Sequence, residues 1–176
     1  MASTRKVAVV TGSNKGIGLA IVKGLCEKYD GDVYLTSRDP GRGQAAVESL
    51  KKLNLNPLYH QLDITDQDSV NTFRDYLKSK HGGIDVLINN AAIAFKAAAT
   101  EPFAIQAKET IRVNYFGTLR VCEALFPLLR QNGRVVNVSS VVGHLLRITK
   151  EDLRNKLNSP TLDLATLNQL MERYVK

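Results

Sequence analysis

Short β-branched runs alternate with stretches of helical spacing along the first 140 residues. Residues 6–11 (Lys-Val-Ala-Val-Val-Thr) read as a buried parallel strand. Residues 16–28 then place Ile17, Ala20, Ile21, Gly24 and Leu25 on one helical face. The same alternation predicts a strand over 32–36 and a helix over 44–53 with Ala45, Val47, Leu50 and Leu53 inward. It predicts a third strand over 57–62 and a helix over 66–80 with Asp66 as N-cap. A fourth strand over 84–88 follows the turn signal Gly82-Gly83. Residues 101–129 read as one long helix or two in tandem, and 134–138 as a fifth strand after Asn132-Gly133. Five strands separated by helices predict an α/β fold, a doubly wound parallel sheet with helices on both faces. After Ser140 the alternation stops, and 151–158 and 162–175 read as two helices with no strand between them.

Composition narrows the class. The chain has 176 residues, 44% hydrophobic and 23% charged, with 12 Gly and 5 Pro. Those values fit one globular domain and exclude disordered and collagen-like chains. Two cysteines are too few for a disulfide-stapled scaffold, and Cys26 and Cys122 both fall at apolar helical positions, as buried thiols do. His60, His81 and His144 have no metal-ligand spacing, so no metal is assigned. No apolar run is long enough to span a bilayer, and Met1-Ala2-Ser3-Thr4-Arg5-Lys6 lacks a signal-peptide pattern. A cytoplasmic location is the expectation. The net charge of +7 favours anionic partners, yet the basic residues are scattered and the longest basic run is Lys51-Lys52. A phosphate-rich small ligand explains that charge without a nucleic-acid partner.

The segment Thr11-Gly12-Ser13-Asn14-Lys15-Gly16-Ile17-Gly18 follows a strand and opens a helix. In that context glycines permit a tight turn, let backbone approach a pyrophosphate, and let helix pack on strand. The helix N-terminus offers unpaired N–H groups to the phosphate. The alternative is a Gly-rich turn without a ligand. Thr36-Ser37-Arg38-Asp39 ends the second strand about 20 residues further on, where a ribose-reading residue is expected. Arg38 and Lys15 suit a 2′-phosphate and hence NADPH. Alternatively, Arg38 and Asp39 simply pair with each other.

With these residues in order, the chain resembles the short-chain dehydrogenase/reductase superfamily, whose cofactor loop is T-G-x-x-x-G-x-G. Asp63-Ile64 after the third strand, Asn89-Asn90-Ala91-Ala92 ending the fourth, Asn114 in the long helix and Asn137-Val138-Ser139-Ser140 ending the fifth fit the same pattern. Asn14-Lys15, Arg38, Ala94-Phe95-Lys96 and R-V-V-N-V-S-S resemble the monomeric NADPH-dependent carbonyl reductases. A methyltransferase, which also uses a Gly-rich first loop, would want an acidic residue at the place of Arg38.

The resemblance implies a Rossmann-like domain over 1–140, with 141–176 forming the helical insertion of that subgroup. It implies hydride transfer from NADPH to a ketone or aldehyde. It places Gly12, Asn14, Lys15, Gly16, Ile17, Gly18, Arg38, Asp63, Ile64 and Asn90 around the cofactor. It makes Ser140 the holder of the carbonyl oxygen and Asn114 a support of the proton relay. Phe95 and Lys96 would stand at the substrate mouth, where glutathione-bearing substrates are contacted. Read singly, Asn114 is also an ordinary helix-interior polar residue, and Ser139-Ser140 an ordinary strand-end turn.

Two departures matter. Ala92 stands where the family pattern has glycine, which predicts a less comfortable loop if that backbone is left-handed. No Tyr-x-x-x-Lys follows Ser140: Tyr174 and Lys176 are i, i+2 and point to different sides of a helix. The literal match Tyr76-Leu77-Lys78-Ser79-Lys80 lies on the third helix, and its charged end reads as a solvated face. The expectation is therefore a chain truncated before the catalytic tyrosine, without general-acid catalysis worth roughly 10²–10⁴ in rate. The fifth strand would be an uncovered apolar edge open to self-association. The alternative function is an NADPH-binding module that reduces nothing.

Overall fold

A computed structural model describes residues 5–175, so the signal-peptide reading of Met1 to Thr4 and the position of Lys176 lie outside the described residues. Five strands form one parallel sheet in the order β3-β2-β1-β4-β5. They are β1 (Lys6–Val10), β2 (Gly31–Ser37), β3 (Leu58–Gln61), β4 (Ile84–Asn89) and β5 (Leu129–Asn137). The chain turns outward from β1 in both directions, so a crevice opens at the carboxyl ends of β1 and β4.

Alternation along the strands explains the two layers of core. Val7 and Val9 on β1 and Tyr34 on β2 face a cluster with Phe73, Leu77, Val121 and Leu125. Val10 on β1 and Val33 and Leu35 on β2 face Val22, Ala46, Val47 and Leu50 on the other side. The first cluster packs under helices α3 (Gln67–His81) and α5 (Thr118–Leu125), the second under α1 (Gly16–Lys28) and α2 (Pro40–Lys51). Each fully buried aliphatic side chain in such layers contributes about 1.5–3 kcal/mol.

Several boundaries differ from the expectation, each for a local reason. Helix α2 begins at Pro40 rather than 44, because the Asp39 carboxylate caps it by accepting from the Arg42 N–H at 2.8 Å, with Pro at the first turn. Helix α3 starts as expected behind Asp66, whose carboxylate accepts from the Asp68 N–H at 3.0 Å, and ends on the left-handed Gly82 (φ 71°). Residues 103–125 are one continuous helical run in three parts: α4 (Phe103–Thr110), a π-helical segment (Ile111–Gly117) and α5. A 3₁₀ turn, Phe126–Leu128, follows.

The fifth strand starts at Leu129, before the Asn132-Gly133 turn signal rather than after it. Leu129 pairs with Ile84, and the register shifts between Ile84 and Val86. Two steps on β4, Ile84 to Val86, face five on β5, Leu129 to Arg134, so the chain loops out there with Asn132 left-handed (φ 63°), and regular pairing resumes at Arg134, after the expected Asn132-Gly133 turn signal. Arg130 fastens this first part by donating to Asp85 Oδ2 at 2.8 Å and to the His81 carbonyl. β5 is the terminal strand of the sheet; its Val135 and Val136 are 37% and 48% exposed, and Val138 just beyond it 37%. Beyond it, α6 (Glu151–Leu157) and α7 (Leu164–Tyr174) are helical as expected, α7 being shorter than 162–175. Tyr115 ties α7 to the π segment through Asn168 Oδ1 at 2.7 Å. Among the described residues, no helix is long and apolar enough to cross a membrane.

Candidate active site

At the carboxyl ends of β1 to β4 lies a cleft of about 460 Å³. All ten residues expected around a cofactor line it: Gly12, Asn14, Lys15, Gly16, Ile17, Gly18, Arg38, Asp63, Ile64 and Asn90. Its walls also include Asp39, Arg42, Thr65, Ala91, Ala92 and Ile93.

The glycine loop is stitched into place from both neighbouring strands. On the β2 side, Ser13 exchanges bonds with Thr36: the Ser13 N–H donates to the Thr36 carbonyl at 2.8 Å, and the Thr36 N–H donates to Ser13 Oγ at 3.0 Å. On the β4 side, Thr11 Oγ1 accepts from the backbone N–H groups of Asn90 and Ala91, both at 2.9 Å. The Asn90 amide reaches back and donates to the carbonyls of Thr11 at 2.9 Å and Gly12 at 3.0 Å. These contacts leave no room at two glycines. Gly12 has φ +60°, and a Cβ there would stand 2.7 Å from the Ala91 Cα. A Cβ on Gly18 would run into the Asn90 amide nitrogen and stand 2.8 Å from the Ser13 Cα.

The cleft is electropositive where an anion would sit. Helix α1 has no side-chain cap and no acidic residue in its first turn, so its N-terminal N–H groups are left for a ligand. Lys15, Arg38 and Arg42 all line the cleft. Arg38 makes no ion pair with Asp39, whose Oδ1 caps α2 instead. The sequence pattern alone does not point to Arg42; the Asp39 cap does, by putting residue 42 in the first turn of α2, where it lines the cleft with Arg38. Asp63 is held by Thr65, whose N–H and hydroxyl both donate to Asp63 Oδ1, at 2.9 and 2.7 Å.

The catalytic candidates stand apart from this lining. Asn114 sits in the π segment, and its amide clamps the backbone of Ile93: Nδ2 donates to the Ile93 carbonyl and Oδ1 accepts from the Ile93 N–H, both at 2.9 Å. The helix thereby fixes the loop that forms one wall of the cleft. Ser140 follows β5 and caps a short 3₁₀ turn, its Oγ accepting from the Val142 N–H at 3.3 Å. Phe95 is half-buried and Lys96 exposed in the loop after Ile93. Ala92 is not left-handed; among the described residues only Asn54 and Asn132 are non-glycine residues with positive φ, so alanine imposes no backbone strain there.

One further expectation changes. Cys26 and Cys122 are half-buried rather than core thiols, and burial pushes both thiols up. As expected, Tyr76 and Lys80 lie outside the cleft lining and the charged end of this segment, Lys78 to Lys80, is exposed, with Lys80 Nζ donating to Tyr76 Oη at 2.8 Å.

The family model for the short chain dehydrogenases matches residues 6–150. Over 177 aligned residues the chain is 50% identical to carbonyl reductase (NADPH) 1 of Bos taurus, covering 100% of this chain and 64% of that protein. The same figures hold for the Homo sapiens protein of that name. The chain thus spans about 64% of the length of the curated relatives it matches. Among solved structures, menthone neomenthol reductase from Mentha piperita superposes with a TM-score of 0.86 at 35% identity, over 98% of this chain and 74% of that one. A glycine loop after β1 held by Asn90 just beyond β4, in a sheet of this strand order, agrees with those matches: the chain belongs to the short-chain dehydrogenase/reductase family of oxidoreductases.

Proposed function

We propose that this chain builds the NADPH site of a carbonyl reductase. The observation that carries the reading is the convergence of Lys15, Arg38 and Arg42 with the uncapped N-terminus of α1 on one cleft. A dinucleotide with a 2′-phosphate matches that donor set. The α1 N–H groups would take the pyrophosphate, for which Gly12 and Gly18 keep the loop low. Arg38 and Arg42 would hold the 2′-phosphate, and Lys15 would add charge from the loop. Asp63, Ile64 and Asn90 would border the adenosine and ribose groups. When bound, the cofactor supplies the hydride for a ketone or aldehyde carbon.

This chain's own part in that reaction is to orient and exclude. Ser140 would hold the carbonyl oxygen through its hydroxyl. Asn114 supports the site by locking Ile93 and the wall it belongs to. Phe95 and Lys96 would meet the outer part of the substrate, and Lys96 suits an anionic group such as the carboxylates of a glutathione-bearing compound. The protein is proposed to act in the cytoplasm. Ser140 stands apart from the cleft lining, which favours a second reading: nucleotide binding without reduction.

Incubating the 176-residue chain with NADPH and an aromatic aldehyde or quinone tests both readings. The expected outcome is binding with reduction slower by about 10²–10⁴ than that of a relative carrying the tyrosine. Turnover equal to that relative's would overturn the second reading, and absence of binding would overturn both. The β5 edge adds an expectation of its own. Its exposed Val135, Val136 and Val138 should make the chain pair with a second copy as concentration rises, read as an increase in mass by light scattering. A monomer at every concentration would refute it.

A further inference from the structure

On the layer under α3, away from the cleft, lies a chain of titratable side chains that nucleotide binding does not use. Tyr34 on β2 is fully buried, and His81 at the end of α3 is 2% exposed. His81 Nε2 lies 2.7 Å from Tyr34 Oη. Tyr34 Oη donates to Tyr76 Oη at 3.2 Å, and Lys80 Nζ donates to the same oxygen at 2.8 Å. Tyr34 has one proton and gives it to Tyr76. His81 therefore carries its own proton on Nε2 to reach Tyr34, which leaves Nδ1 as a bare lone pair. His81 Nδ1 is buried, has no hydrogen-bond partner among the described residues, and stands 3.8 Å from Asp32 Oδ2.

The consequence falls on Tyr76. Its oxygen accepts two hydrogen bonds, one from a cation, so loss of its own proton strengthens both. The groups facing it are Lys80 on its own helix, Tyr34 and Asp32 from β2, and His60 from β3, whose ring lies 4.7 Å away at 43°. Burial is the largest influence and opposes ionisation, as does Asp32; the hydrogen bonds from Lys80 and Tyr34 and the Lys80 charge together outweigh them and hold the Tyr76 phenol below the usual tyrosine range. Tyr34 moves the other way, driven up by burial and by its bond to Tyr76. Tyr76 thus loses its proton first, and it is the half-buried member of the pair, with an exposed Lys80 beside it.

We propose that Tyr76 is a nucleophilic side chain that takes an acyl group from small activated acyl donors, with Lys80 as the positioning cation. Tyr76 Oη attacks the acyl carbon and forms an ester bond. The bond from that carbon to the leaving group breaks, and the leaving group departs with the electron pair and takes up a proton from water, the phenolic proton having gone to solvent when the phenolate formed. Lys80 stays protonated and holds the phenolate oxygen.

N-acetylimidazole on the whole 176-residue chain tests this, with acetylation of each tyrosine followed by peptide mass spectrometry. Tyr174, 59% exposed at the end of α7, is the comparator. Tyr76 should acetylate several-fold faster than Tyr174, reach its plateau rate at a lower pH, and be released by hydroxylamine, which spares lysine amides. Lys80→Met should remove the advantage without changing the melting temperature, since Lys80 is exposed, and Lys80→Arg should keep part of it. Slower labelling of Tyr76 than of Tyr174, or an unchanged Tyr76 rate in Lys80→Met, would overturn the proposal.

Discussion

Replacing Asn114 by alanine separates a supporting role from a chemical one. The side chain makes two bonds, both at 2.9 Å, to the two backbone polar groups of Ile93. Each net hydrogen bond is worth about 0.5–1.5 kcal/mol, so removing the pair costs roughly 1–3 kcal/mol. Ile93 is half-buried, so water compensates part of the loss and the upper end of that range is not reached. For a domain of this size, 1 kcal/mol lowers Tm by about 2–4 °C, so the expected drop is roughly 2–8 °C. The Ile93 wall also lines the cleft, so NADPH affinity should fall with stability. Asn114→Asp provides the internal control. It keeps an acceptor for the Ile93 N–H but sets a carboxylate against the Ile93 carbonyl, and should cost at least as much as alanine. Thermal unfolding followed by circular dichroism, with and without NADPH, reads both. A Tm shift below about 1 °C in both variants would refute the bracing role, because two lost backbone bonds cannot be that cheap.

Other perturbations test different parts of the site. Gly18→Ala should abolish measurable NADPH binding, because its Cβ meets the Asn90 amide and Ser13; titration by NADPH fluorescence checks it, and wild-type affinity would count against the packed loop. Arg42→Ala should weaken NADPH by about ten- to a hundredfold, as the loss of a charge-assisted bond does, and leave NADH unchanged; calorimetry with both nucleotides decides. Acid should destabilise the fold through His81. Burial, the largest influence, and the charges of Lys80 and Arg130 hold its imidazole below the ordinary 6.5, against Asp32. The unfolded chain therefore binds the proton more readily, so stability is full above pH 6.5 and declines as pH falls toward the folded value. His81→Gln should flatten that decline, and an unchanged slope in urea titrations from pH 7 to 5 would refute it.

The strands and the glycine loop were legible because buried parallel strands are short β-branched runs and phosphate loops need glycine at set places. All ten expected cofactor residues meet in one cleft for that reason. What escaped depends on contacts that no local pattern records. Leu129 joins the sheet ahead of the Asn132-Gly133 irregularity, where Arg130 reaches Asp85, a contact 45 residues away in sequence. Arg42 enters the cleft lining because Asp39 caps α2 rather than pairing with Arg38. The grip of Asn114 on Ile93 spans 21 residues and depends on where a π segment turns the side chain. The cluster of Tyr34, Tyr76 and His81 joins β2 to α3, so its hydrogen bonds exist only in the folded chain.

The central claim is that the cleft is built for a nucleotide bearing a 2′-phosphate. Parallel calorimetric titrations of the 176-residue chain with NADPH and NADH test it most directly. The account predicts that NADPH binds at least about tenfold more tightly, and that Arg38→Ala erases most of the difference. Equal affinities, or a preference for NADH, would contradict it.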